Sequence, residues 1–292
     1  MTLKIDAHQH YWRISRGDYG WLTPETGVLY NDYMPEDLRK ELDKHGFAAS
    51  IVVQAAPTVE ETDFLLSLCE REPTLAGAVG WLDLESSTFA EDLDRLLQSP
   101  YLLGIRPMLQ DLDDNAYIVR ERVLQSARIL ANRDVVLELL VKTQHLPYVV
   151  TLLEQTPGLR AVINHCAKPD IAGRVTEPWL EWMEAAGALP NVYCKLSGLV
   201  TEADHRHWTV DQITPYVREV CRIFGPERVM FGSDWPVCLL AASYEEVLHA
   251  ALDTLPDDWT DQQKANVFGE NARRFYKIKL DVAEDDADAI KK

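Results

Sequence analysis

Basic residues are scarce in this sequence: 29 Lys and Arg stand against 47 Asp and Glu, a formal net charge of −18. So acidic a chain is repelled by phosphate backbones and anionic lipid, so neither a nucleic acid nor a membrane is an expected partner. Long apolar runs are also missing. None approaches the roughly 18 residues of a membrane span, and the N-terminus lacks the basic-then-apolar pattern of a signal peptide. Cysteine is sparse and scattered (Cys69, Cys166, Cys194, Cys221, Cys238), with no close-spaced pair. An odd, dispersed set fits reduced thiols in a cytoplasmic protein better than a disulfide framework. No glycine-rich phosphate loop follows the first apolar run, which weakens a nucleotide-binding sheet. No Gly-x-Ser-x-Gly elbow surrounds Ser197 or Ser233, which weakens serine catalysis.

Hydrophobic residues make up 47% of the 292, enough for a sizeable core. Apolar, β-branched runs recur at about 3–9, 50–56, 76–83, 102–108, 135–141, 160–166, 191–197 and 228–234, separated by amphipathic stretches long enough for helices. Alternation of this kind implies parallel strands joined by right-handed crossovers. Eight such units favour a single α/β domain, a slightly distorted (β/α)8 TIM-type barrel over residues 1–280, above a doubly wound open sheet. Thr58…Glu61, Thr209…Gln212, Ser243…Glu246 and Thr260…Gln263 have capping-box spacing, and Gly46 and Gly225 sit where helices should stop. Residues 11–34 form a long first βα loop carrying Trp12, Tyr19, Trp21, Tyr30 and Tyr33, too aromatic for disorder. Residues 281–292 read as an acidic, mobile tail.

Reactive residues of such a barrel gather at the C-terminal ends of its strands. The first strand runs into Asp6-Ala7-His8-Gln9-His10, and alternation places His8 and His10 on one face. Two convergent imidazoles suit a divalent transition metal. The same end of the other strands offers Gln54, Arg106, Glu138, His165, Lys195 with Ser197, and Asp234. Polar groups inside apolar strands are costly to bury unpaired, so their recurrence at one end points to a shared site. His205 and His207 repeat the His-x-His spacing among charged loop residues and read as surface groups, while Trp179, Trp182 and Trp259 read as core.

Several motifs recur in a recognisable order: the opening His-x-His, His165 followed by Lys168-Pro169, Gly232-Ser233-Asp234-Trp235-Pro236, and Asn271-Ala272-Arg273-Arg274-Phe275-Tyr276. In this the chain resembles the amidohydrolase superfamily, and more narrowly its amidohydrolase-2 branch, over roughly residues 3–278. Asp-Ala-His-Gln-His-Tyr-Trp, Val53-Gln54-Ala55-Ala56, Gly80-Trp81-Leu82-Asp83-Leu84, Gly104-Ile105-Arg106-Pro107 and Lys195-Leu196-Ser197-Gly198-Leu199 resemble sugar-lactone hydrolases acting on L-fuconolactone or L-rhamnonolactone. Many superfamily members carry a bridging lysine and two further strand-borne histidines. Here the fifth strand offers Glu138, the seventh offers Lys195, and His165 alone follows the first pair. The resemblance therefore implies one weakly held divalent ion, zinc first among the candidates, or no metal at all. The ligand candidates are His8, His10, His165 and Asp234, with Glu138 as a further one.

The implied reaction opens a lactone, with a small-molecule lactone as sole partner; the motifs leave the oligomeric state open. Asp234 is the expected general base and acid, and His165 and Arg106 the expected catalytic helpers. Trp12, Gln54, Lys168, Lys195, Ser197 and Trp235 are expected to bind substrate. A lactonase for a carboxylated pyrone or muconolactone is the rival, through a bidentate Arg106. A metal-dependent decarboxylase of the same superfamily requires a tightly held ion, and a non-catalytic sugar-binding module leaves the Asp234 cluster without a purpose.

Overall fold

The computed structural model describes residues 3–279; the expected acidic tail lies outside the described residues. Eight parallel strands follow one another in chain order around a single sheet. They are β1 (Ile5–Gln9), β2 (Ala49–Val53), β3 (Leu75–Gly80), β4 (Leu102–Ile105), β5 (Val136–Leu139), β6 (Ala161–Ile163), β7 (Val192–Leu196) and β8 (Val229–Phe231). Each is followed by a helix: α1 (Pro35–His45), α2 (Val59–Cys69), α3 (Phe89–Leu96), α4 (Glu121–Asn132), α5 (Leu146–Gln155), α6 (Trp179–Gly187), α7 (Val210–Phe224) and α8 (Tyr244–Thr254). The ring closes between β8 and β1 at their C-terminal ends. There His10 N donates to Trp235 O at 2.7 Å and Asp234 N to His8 O at 2.8 Å. All eight expected strands form, each shorter than its apolar run.

Helix ends follow the local chemistry. At α8, Ser243 and Glu246 exchange bonds, Glu246 N to Ser243 Oγ at 3.2 Å and Ser243 N to Glu246 Oε2 at 2.7 Å. Gly46 and Gly225 adopt φ 70° and 67° where α1 and α7 stop, a conformation glycine enters without a Cβ penalty. The Thr58…Glu61 box forms only half. Thr58 Oγ accepts from Glu61 N at 3.1 Å, but the Glu61 carboxylate turns back to accept from Ala55 N and Ala56 N, at 2.9 and 2.7 Å. It thus ties the end of β2 to the start of α2, and burial lifts its pKa to about 7.

One apolar cluster lies between strands and outer helices, and a second fills the barrel interior. Ile5, Ile51, Val79, Val136, Val162 and Met230 stack in the interior cluster. Phe275 and Tyr276 of α10 (Glu270–Tyr276), which follows α9 (Asp261–Val267), pack into the same cluster. Trp179 is buried, and Trp182 and Trp259 pack against the outer core, as expected of them. His205 and His207 are exposed.

Candidate active site

Asp234 is the hub. Its Oδ1 lies 3.2 Å from His10 Nε2, 3.7 Å from His8 Nε2 and 3.9 Å from His165 Nε2, all four side chains being buried. Asp234 and His165 hold φ of 57° and 52°, and Cys166, Ala167 and Lys168 continue at positive φ. A left-handed conformation costs roughly 1–2 kcal/mol per residue. Here the cost aims two site residues at one point, as strained backbone at reactive positions often does. Two glycines make room: a Cβ on Gly232 would stand 2.5 Å from His8 Cβ, and one on Gly198 2.5 Å from His165 Nδ1.

A second tier fixes the imidazoles. His10 Nδ1 donates to Val53 O at 2.7 Å, and its Nε2 faces Asp234 Oδ1 at 3.2 Å. Ser197 Oγ lies 2.9 Å from His165 Nδ1. Beneath His8, Lys195 Nζ donates to both Glu138 oxygens at 2.7 and 2.8 Å and lies 3.4 Å from His8 Nδ1. Glu138 also accepts from Asn164 Nδ2 at 2.9 Å and from the Tyr276 hydroxyl. Burial pushes the Lys195 ammonium down to about 8, against the opposing pull of Glu138. Burial lowers His165 to about 3, so its ring is neutral near pH 7. Burial pushes the Asp234 carboxyl up, but the neighbouring His165 and His10 outweigh it and hold the group below the ordinary carboxylate range.

Of the residues expected to line the site, His10, Arg106, His165, Lys168 and Asp234 face a common cavity of about 240 Å³. Others are placed elsewhere. Lys195 is fully buried in its ion pair and Ser197 is turned onto His165, so both support histidines and neither reaches the cavity. Gln54 holds Arg106, donating to its carbonyl oxygen at 2.8 Å and accepting from its Nη2 at 3.3 Å. Trp12 is buried in an aromatic cluster with its indole N–H on Asn31 O, and Trp235 packs edge-on against Tyr33. Trp21 takes the place foreseen for Trp12: its indole N–H donates to Ala55 O at 2.8 Å and its ring lines the cavity. Ala55, Met108, Gln110, Asp111, Leu140 and Val237 complete the wall. Their signal was faint, because they lie in loops beyond the strand ends. Asp6 was passed over as well. Its Oδ1 accepts from His8 N and Ser233 N at 3.2 and 2.9 Å, joining β1 to the end of β8.

Among the described residues, His8, His10 and Asp234 form the one cluster able to hold a metal, with ligand atoms within 4.8 Å of one another. Two imidazoles and a carboxylate are a donor set for zinc, and the facing lone pairs of His10 and Asp234 need a proton or a cation between them. His165 and Glu138 stand outside that cluster, and both Glu138 oxygens are engaged by Lys195, Asn164 and Tyr276. Lys195 and Arg106, each 3.4 Å from a ring nitrogen of His8, oppose a dication. The residues fit one loosely held ion.

The amidohydrolase family model matches residues 5–278. The chain belongs to this family. An L-fucono-1,5-lactonase of Burkholderia ambifaria is 39% identical over 283 residues, covering 95% of this chain and 97% of that one. An L-fucono-1,5-lactonase of Burkholderia multivorans is 36% identical, with the same shares covered. A crystal structure of a Burkholderia multivorans amidohydrolase with bound zinc superposes with a TM-score of 0.90 at 36% identity, over 95% of this chain and 100% of that one. This amidohydrolase is an eight-stranded parallel barrel, as expected, and three of the expected ligands, His8, His10 and Asp234, form a cluster suited to a divalent metal.

Proposed function

We propose that this chain hydrolyses a sugar lactone to the aldonic acid, with L-fuconolactone or a stereochemical relative preferred. The observation that carries the reading is the convergence of three imidazoles on Asp234, which with His10, His165 and Arg106 lines one small cavity; the lactonase relatives support it. A lactone is a cyclic ester, so opening it requires a deprotonated water, a stabilised carbonyl oxygen and a proton for the leaving alkoxide. Asp234, ionised at neutral pH, takes the proton of a water seated above it and returns it to the departing ring oxygen. Neutral His165 and the Arg106 guanidinium donate to the developing oxyanion. Lys168, at the cavity edge and paired with Glu202 at 3.1 Å, positions a ring hydroxyl. A divalent ion held by His8, His10 and Asp234 would act as a Lewis acid and ease deprotonation of water.

The carboxylated-lactone reading needs a free guanidinium fork. Arg106 Nη2 donates to the Gln54 carbonyl, while Nη1 lies 3.4 Å from both His8 Nε2 and Asn164 Oδ1. Asp111 adds a negative charge to the cavity wall. Both favour a neutral, hydroxylated ring. No helix among the described residues is long and apolar enough to cross a membrane. All five cysteines are buried and free, which supports a reducing, cytoplasmic setting. The test is a lactone panel followed by acid release, for wild type and Asp234→Asn. The isosteric variant should lose at least about a hundredfold in turnover; a near-normal rate would remove Asp234 from the chemistry.

A further inference from the structure

The cavity at Asp234, about 240 Å³, falls below the roughly 300–1,000 Å³ of most small-molecule sites, a size suited to one small ring. Part of its wall is shared with a neighbouring depression. Trp21, Met108 and Asp111 also line a second depression of about 760 Å³, whose other walls carry the half-buried rings of Trp81 and Tyr117 and the carboxylate of Asp83. We infer that this second lobe is a subsite for a further sugar unit, so that the substrate is an aldonolactone glycosylated on a ring hydroxyl. The inference rests on the lactone hydrolysis proposed above and extends it to the substrate's size.

The lining matches a pyranose on both of its characters. Trp81, Tyr117 and the fixed ring of Trp21 offer apolar faces to its C–H surface. Asp83 and Asp111 offer acceptors to its hydroxyls. Asp83 Oδ1 accepts from Glu85 N at 2.9 Å, leaving its other oxygen for a ligand, and Asp111 takes part in no ion pair among the described residues. The remaining carboxylates, Asp18 and Glu85, pair with Arg16 and Arg120 at 2.6 and 2.8 Å. Asp83 and Asp111 repel an anionic extension and leave hydroxyls as the groups their oxygens accept from. The second lobe is walled by loops after β1 to β4 and the first also by residues after β5, β6 and β8, all at the C-terminal strand ends, the face on which barrel substrates lie.

The test compares kcat/KM for a parent aldonolactone with a panel bearing a second pyranose at each free ring hydroxyl, for wild type, Trp81→Ala and Asp83→Asn. Wild type should process at least one glycosylated lactone with kcat/KM above that of the parent. Trp81→Ala should lose about tenfold on that substrate, the scale of one aromatic platform, through KM, and stay within about twofold on the parent. Asp83→Asn should show the same selective loss, independently of any packing defect at Trp81. If every glycosylated lactone is poorer than the parent, or both variants affect the two substrates equally, the second sugar site is refuted while the lactonase reading stands. If no lactone of either kind is hydrolysed, the proposed activity falls and the subsite with it.

Discussion

Replacing Glu138 by Gln should expose how the histidine cluster is held. Glu138 and Lys195 are both fully buried, and four hydrogen bonds converge on the carboxylate: two from Lys195, one from Asn164 and one from Tyr276. Glutamine keeps the shape but removes the charge that neutralises Lys195 and turns one acceptor into a donor. Removing one partner of a buried ion pair typically costs about 3–5 kcal/mol, because the other charge is left uncompensated. For a barrel of this size each kcal/mol lowers Tm by roughly 2–4 °C, so a fall of about 6–20 °C is expected. The double variant Glu138→Gln/Lys195→Met removes both charges and should recover much of the loss, since a buried pair often contributes little against an apolar pair of similar shape. Urea unfolding of wild type, both single variants and the double variant gives the coupling energy directly. A loss below about 1 kcal/mol in Glu138→Gln, or a double variant as unstable as the summed singles, would refute the account of a buried, mutually dependent pair.

The metal site should hold at most one divalent ion per chain, removable by dialysis against chelator, because Lys195 and Arg106 crowd His8; elemental analysis finding two retained ions would contradict this. Trp12→Ala should cost about 3–5 kcal/mol of stability, the usual scale for a buried aromatic, and leave KM for the lactone nearly unchanged. Thermal melts and steady-state kinetics check it, and a raised KM with an unchanged Tm would return Trp12 to the substrate.

The strand–helix rhythm was legible because it is local. Apolar runs, capping residues and helix-stopping glycines act within a few positions, and the eight units then close in chain order. The His8, His10, His165 and Asp234 set was legible for a related reason, since barrel geometry brings all strand ends to one face. What each polar side chain does there was decided only in three dimensions. Lys195 and Glu138 lie on different strands and meet in the barrel interior, where burial forces them together and away from substrate. Trp12 and Trp21 are indistinguishable by composition, yet the fold of the first loop buries one and turns the other to the cavity. Glu61 has the right spacing for its capping box, but the two amides at the end of β2, brought close by the packing of α2, compete for its carboxylate. Residues 165–168 show no left-handed signature, because contacts on that turn come from Ser197 and Gly198, just beyond the end of β7. Short-range preferences set the elements and their order; long-range competition for buried partners set the role of each side chain in the site.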